Sequence, residues 1–188
     1  MPKIIDRASR RRDVIHAVWR LILNGGMQQA TFRAIADETG LAIGSIRHYF
    51  GSHEDLIVAA AQELSDRVEG RLRAMAENAT DSDRIANEAL EQVLPLDGDR
   101  HDEAILWLTV LTEARLNPAL AEPAREMFSG VEEIVRLVFA RMNYDADDIE
   151  VERMCALLDG LATRGVLQPD VVRPERIRAV LERHLASL

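Results

Sequence analysis

Between Thr31 and Phe50 the chain reads TFRAIADETGLAIGSIRHYF, and the placing of small and apolar residues in this stretch constrains the fold more than any other feature. Thr31 is a good N-cap for a short helix through Glu38, because its hydroxyl can accept an otherwise unpaired backbone N–H. Gly40 can take the left-handed conformation that turns the chain, after which a second short helix is predicted from about Ala42. Ala36, four residues before Gly40, puts only a methyl group where two steeply crossing helices would touch. Ile35, Leu41, Ile46 and Tyr49 fall where a helix-turn-helix needs apolar residues to lock its halves together. In that geometry Ile43, Gly44, Ser45, Arg47 and His48 face outward from the second helix. Arg47 and His48 can donate to phosphates or base edges, Ser45 can bond either, Ile43 can touch a thymine methyl, and Gly44 lets the backbone come close.

The flanks extend this reading. Val14, Val18, Leu21 and Ile22 recur at helical spacing in a predicted helix over 10–23, which Asn24, Gly25 and Gly26 end. Arg10, Arg11 and Arg12 crowd its positive end, a placement that a phosphate partner would relieve. Ser52 and Asp55 form a capping box that opens the next helix, whose free N–H groups, with His53 beside them, suit a phosphate.

From Val14 to Leu56 the sequence resembles the DNA-binding domain of the TetR/AcrR family. It shares the apolar first helix, Thr31, Ile35, Ala36, the Thr39-Gly40 turn, the Tyr49-Phe50 pair, and Ser52, Glu54 and Leu56 of the following cap. The resemblance implies DNA contact by Thr31, Arg33 and Tyr49 in addition to the outward residues above and His53. Two positions depart from the family pattern: Arg47 stands where a phosphate-contacting Tyr is common, and His53 where a Lys is usual.

Charge divides along the chain in the same sense. Although the net charge is −9, residues 1–50 hold eight Lys/Arg against four acids, a balance of +4, and the remainder holds 15 against 28, a balance of −13. A basic head is drawn to a phosphate backbone and an acidic body is repelled by it, which orients the molecule as well as attracting it. Aromatic residues make up only 4% of the chain, while Ala, Leu, Arg and Glu abound. These lose little rotamer freedom in helices, so an all-α chain is expected: a three-helix head over 1–52 and a helical bundle over 53–188, about nine helices in all, TetR-like. Beyond the head the predicted helices are 53–76, 82–94, 102–116, 118–142, 147–166 and 173–186, with Pro123 able to delay the fourth of them.

The apolar run Ala104–Leu111 should lie centrally. It and the facing stripe suggest an effector cavity lined by Trp107, Leu111 and Glu113 on one side and Met127, Phe128 and Val131 on the other, with Leu158 behind. Met154, Leu157, Leu158 and Leu161 form one late apolar seam, and Ile177, Val180, Leu181 and Leu185 another. Pairing both with a second copy would make a four-helix dimer interface, and Gly160 suggests a close crossing. Ala156–Ala162, Pro174–Leu185 and the Trp107 helix resemble the C-terminal domain of BetI-like members.

Other chemistries find little support. The acids at 145, 147, 148, 150 and 152 lack the Gly and terminal Glu of a calcium loop and suit a helix N-terminus instead. No two of the five histidines stand four apart, no Gly-rich phosphate loop occurs, and Cys155 is single, so no metal, cofactor or enzyme activity is expected. No leader or membrane span is read, and a cytoplasmic location is expected. The expectation is a homodimeric repressor that binds a palindromic operator in double-stranded DNA and is released by a small-molecule effector. Its rivals are a ligand-independent DNA-binding protein or activator, and a helical enzyme or interaction module that never meets DNA.

Overall fold

The computed structural model describes residues 7–77 and 87–188, and among these all regular structure is helical. Four helices open the chain: α1 (Arg7–Gly25), α2 (Phe32–Thr39), α3 (Ile43–Phe50) and α4 (His53–Glu77), with a 3-10 turn at Met27–Gln29. They are followed by α5 (Gly98–Glu113), α6 (Ala121–Arg141), α7 (Asp148–Leu167) and α8 (Pro174–Leu185). The helix expected at 82–94 lies partly outside the described residues; 87–90 are helical and Glu91–Val93 form a 3-10 turn.

Helix starts follow local chemistry. Asp147 accepts the Glu150 N–H at 2.9 Å, so part of the acidic run caps α7 as expected. Asp97 accepts the Arg100 N–H at 2.9 Å and opens α5 about a turn earlier than the sequence suggested. That N–H, followed by the Arg100 guanidinium, holds the Asp97 carboxyl below its usual range against the opposing effect of burial. Pro123 falls within the first turn of α6, where its missing N–H costs nothing, and does not delay the helix.

The chain forms two compact units, Met1–Leu64 with Thr109–Ala124, and Ser65–Leu108 with Arg125–Leu188. This division differs from the expected break after residue 52, because α4, α5 and α6 each contribute to both units. In the first unit the stripe of α1 is buried with Ile35 of α2, Ile46 and Phe50 of α3, and Leu56, Ile57 and Leu64 of α4. The Trp19 indole donates to the Ala60 carbonyl at 3.0 Å, so its one polar atom is satisfied.

In the second unit Leu90, Leu94 and Leu96 pack with Val135, Val138 and Phe139 of α6, with Met154 and Leu158 of α7, and with Ile177 and Leu181 of α8. Beside this core Glu103 is buried, and Arg71 grips it with two N–H groups at 2.9 and 2.7 Å while also donating to Gln92. Arg67 approaches the same carboxylate at 3.3 Å.

One expectation about the second unit needs correction. Met154, Leu158, Ile177, Leu181 and Leu185 are buried in the protomer's own core, so they are not free to meet another copy, whereas Leu161, buried as well, also borders a groove between α7 and α8. Of the two seams only Val180 is exposed, and Leu157 is partly buried against that core. Within the protomer a methyl group built on Gly160 would meet nothing within 4 Å, so no contact inside the chain requires this glycine. The close approach is at Gly165, where a Cβ would lie 2.5 Å from Pro95 Cγ and 3.1 Å from Ile177 Cδ1.

Candidate nucleic-acid interface

The turn between α2 and α3 is built from local bonds. Thr31 Oγ1 accepts the Ala34 N–H at 3.2 Å, and the Gly40 N–H returns to the Ala36 carbonyl at 2.9 Å. Gly40 has φ +68°, which a side chain would strain, although a Cβ there would meet nothing within 4 Å. Backbone conformation rather than close packing therefore requires this glycine. Thr39 Oγ1 donates to the Ile35 carbonyl at 2.7 Å and accepts the Leu41 N–H, tying down the turn from its other side.

Ile46 and Phe50 of α3 are buried against the head, which fixes the direction of the opposite face. Ile43, Gly44, Ser45, Arg47 and His48 are all exposed as expected, with Gly44, Ser45 and His48 on the far side of the helix and Ile43 and Arg47 at its edge. A Cβ on Gly44 would meet nothing, so an approaching surface can reach the backbone there. Thr31 and Arg33 are exposed at the start of α2, and the cap bond leaves the Thr31 hydroxyl hydrogen available for donation. Tyr49 is half-buried with its ring 6.1 Å from that of His48.

Ser52 and Asp55 form the expected capping box: the Asp55 carboxylate accepts from the Ser52 hydroxyl at 2.7 Å and its N–H at 3.0 Å, and the Asp55 N–H donates back to Ser52 Oγ. His53 is exposed but already engaged, with Nε2 2.6 Å from the Ala30 carbonyl. A carbonyl only accepts, so Nε2 carries the hydrogen and only Nδ1 remains for a phosphate; it can donate there only in the imidazolium form.

Three contacts escaped sequence reasoning. The Arg11 guanidinium lies 5.1 Å over the Phe50 ring, Arg47 lies 5.2 Å over Phe32, and Arg20 pairs with Glu38 at 2.7 Å. Residues far apart in sequence form each of them, with no local pattern to betray the pairing.

The expected effector residues are not gathered in one unit. Trp107 is half-buried against the core of the second unit, where Met127, Val131 and Leu158 are buried, whereas Leu111 and Glu113 belong to the first unit. Phe128 is 48% exposed, although it shares its side of α6 with the buried Val135 and Phe139. Cys155 is no nucleophile: burial, then the charge of Asp159, pushes its thiol up to about 11, so the reactive thiolate is scarce at neutral pH. Among the described residues no cluster of His, Cys, Asp or Glu could hold a metal, and no helix is long and apolar enough to cross a membrane.

A capped short helix, a left-handed glycine turn and a second helix presenting a cationic outer face define a helix-turn-helix DNA-binding protein. Residues 14–60 match the family described as bacterial regulatory proteins, tetR family, and residues 83–188 match the BetI-type transcriptional repressor C-terminal domain. The HTH-type transcriptional regulator PksA of Bacillus subtilis is 32% identical, with the alignment covering 100% of this chain and 94% of that protein. A transcriptional regulator from Rhodococcus superposes with a TM-score of 0.82 at 24% identity, covering 94% of each chain, which speaks for the fold alone. A regulator from Saccharomonospora viridis, solved in complex with choline, superposes with a TM-score of 0.80 at 25% identity over 95% of this chain and 96% of that one. The chain belongs to the TetR family of transcriptional regulators.

Proposed function

We propose that the protein is a cytoplasmic homodimeric repressor that binds a palindromic operator through α3 and lets go when a small molecule occupies the acidic C-terminal domain. The observation that carries the DNA-binding part is the exposed surface of α3, on which Arg47 and His48 stand clear of the buried Ile46 and Phe50. Arg47, Ser45 and Ile43 read base edges, while Thr31, Arg33, His48, Tyr49 and His53 hold phosphates. Two heads of a dimer would address half-sites about 34–36 Å apart, or a multiple of that spacing.

Dimerisation falls to the outer rather than the buried side of α7 and α8. Ala156, Leu157, Gly160, Arg164, Arg176 and Val180 border a shallow, mostly apolar groove of about 270 Å³, suited to a helix from a second copy. An effector that prefers one separation of the heads shifts the population away from the DNA-binding form by its differential affinity. The choline complex of the Saccharomonospora regulator makes choline a first probe.

The test is a salt-titrated anisotropy measurement on a fluorescein-labelled duplex, selected by the protein from a random library, with and without choline or a panel of organic cations. Binding should fall linearly in log affinity against log salt, and Arg47→Ala should weaken it roughly 10- to 100-fold. Failure to enrich any duplex, or Arg47→Ala binding as tightly as the wild type, would refute the DNA-binding assignment. Selected sites without two-fold symmetry would refute the dimeric mode.

A further inference from the structure

Phe32 is the first residue of α2, half-buried, and carries no group that could bond DNA. Its ring nevertheless meets two of the side chains assigned to the interface. The Arg47 guanidinium from α3 lies 5.2 Å from the ring centroid, and the His53 imidazole from the start of α4 meets the same ring edge-on, at 5.6 Å and 78°. His53 is tethered independently by its bond to the Ala30 carbonyl. Two helices thus bring one side chain each to an aromatic ring carried by a third.

The chemistry of this arrangement differs from an ordinary surface cation. A guanidinium held over a ring face is attracted by the ring's quadrupole, which uses none of its five N–H donors. Among the described residues Arg47 makes no ion pair, so no carboxylate occupies those donors. A free arginine side chain must be immobilised when it grips a phosphate or the O6/N7 edge of a guanine, and that ordering weakens binding. A side chain already resting on an aromatic surface loses less.

We infer that Phe32 is a positioning residue for operator recognition, an aromatic platform that orders Arg47 by its face and braces His53 by its edge before DNA arrives. The inference rests on the operator-binding assignment of Arg47 made above. Substituting the platform removes the ordering without removing a DNA contact.

A double-mutant cycle tests it, using the library-selected duplex and four proteins: wild type, Phe32→Leu, Arg47→Ala and the double variant. Phe32→Leu keeps an apolar side chain at the start of α2 but has no π face. It should weaken binding roughly threefold to tenfold, the range for ordering one flexible side chain. It should have almost no effect in the Arg47→Ala background, and Phe32→Tyr should restore wild-type affinity. An equal loss in both backgrounds, or wild-type affinity for Phe32→Leu, overturns the platform even if Arg47→Ala binds weakly. Wild-type binding by Arg47→Ala overturns the underlying assignment as well. A readout without DNA guards against misfolding: the Arg47 Nε–H resonance should carry a ring-current shift in wild type and in Phe32→Tyr that Phe32→Leu abolishes, and its absence from the wild-type spectrum also overturns the platform.

Discussion

Replacing Asp159 with asparagine should stabilise the protein at pH 8 and do little at pH 4. Asp159 sits half-buried on α7, where loss of solvent, followed by the nearby Glu152 charge, raises its carboxyl from 3.8 to about 6. Between those two values the native chain holds a proton that the unfolded chain has released. The stability contributed by this group therefore falls as pH rises through that window, and the penalty is complete above about 6. Each tenfold change in proton affinity corresponds to about 1.4 kcal/mol, which would give roughly 3 kcal/mol for a wholly buried group. Asp159 remains partly open to water, and screening reduces the expected effect to about 1 kcal/mol. Asparagine has the shape of the protonated acid and cannot ionise, so it escapes this term. Thermal melts at fixed protein concentration should give a midpoint roughly 2–4 °C above wild type at pH 8, and a much smaller difference at pH 4. The two conditions straddle the isoelectric point of about 5.1, where solubility is poorest. A variant less stable than wild type at pH 8 would show that the carboxylate has a native partner. A gain equal at both pH values would show that its origin is not ionisation.

Two further substitutions probe the second unit. Glu103→Ala leaves Arg71 without the buried carboxylate that two of its N–H groups reach, and a loss of about 2–4 kcal/mol is expected in urea denaturation, with Glu103→Gln recovering part of it. Gly165→Ala drives a methyl group to 2.5 Å from Pro95 Cγ, a ring that cannot swing aside, and should cost about 1–3 kcal/mol in the same urea titration.

The head was legible in the sequence because its signals are local. Thr31 caps a bond three residues away, Gly40 answers to its own backbone angle, and Ser52 and Asp55 bond each other, so spacing alone carried the turn and the outward face of α3. The body is specified differently. A stripe at helical spacing says that a face is buried but not by what, and Met154, Leu158, Ile177 and Leu181 serve the protomer's own core as well as they would have served a dimer seam. Once that side is accounted for, what remains of the same helices is the groove bordered by Gly160 and Val180, to which the proposed dimer is assigned. The two glycines of α7 differ for the same reason: Gly160 meets nothing within the protomer, while Gly165 faces Pro95 from a segment distant in sequence. Phe32 belongs to this second kind of information. It occupies the strongest local motif in the chain, yet what it touches is supplied by α3 and α4, and only the folded geometry shows an aromatic ring placed under the cation that the motif presents.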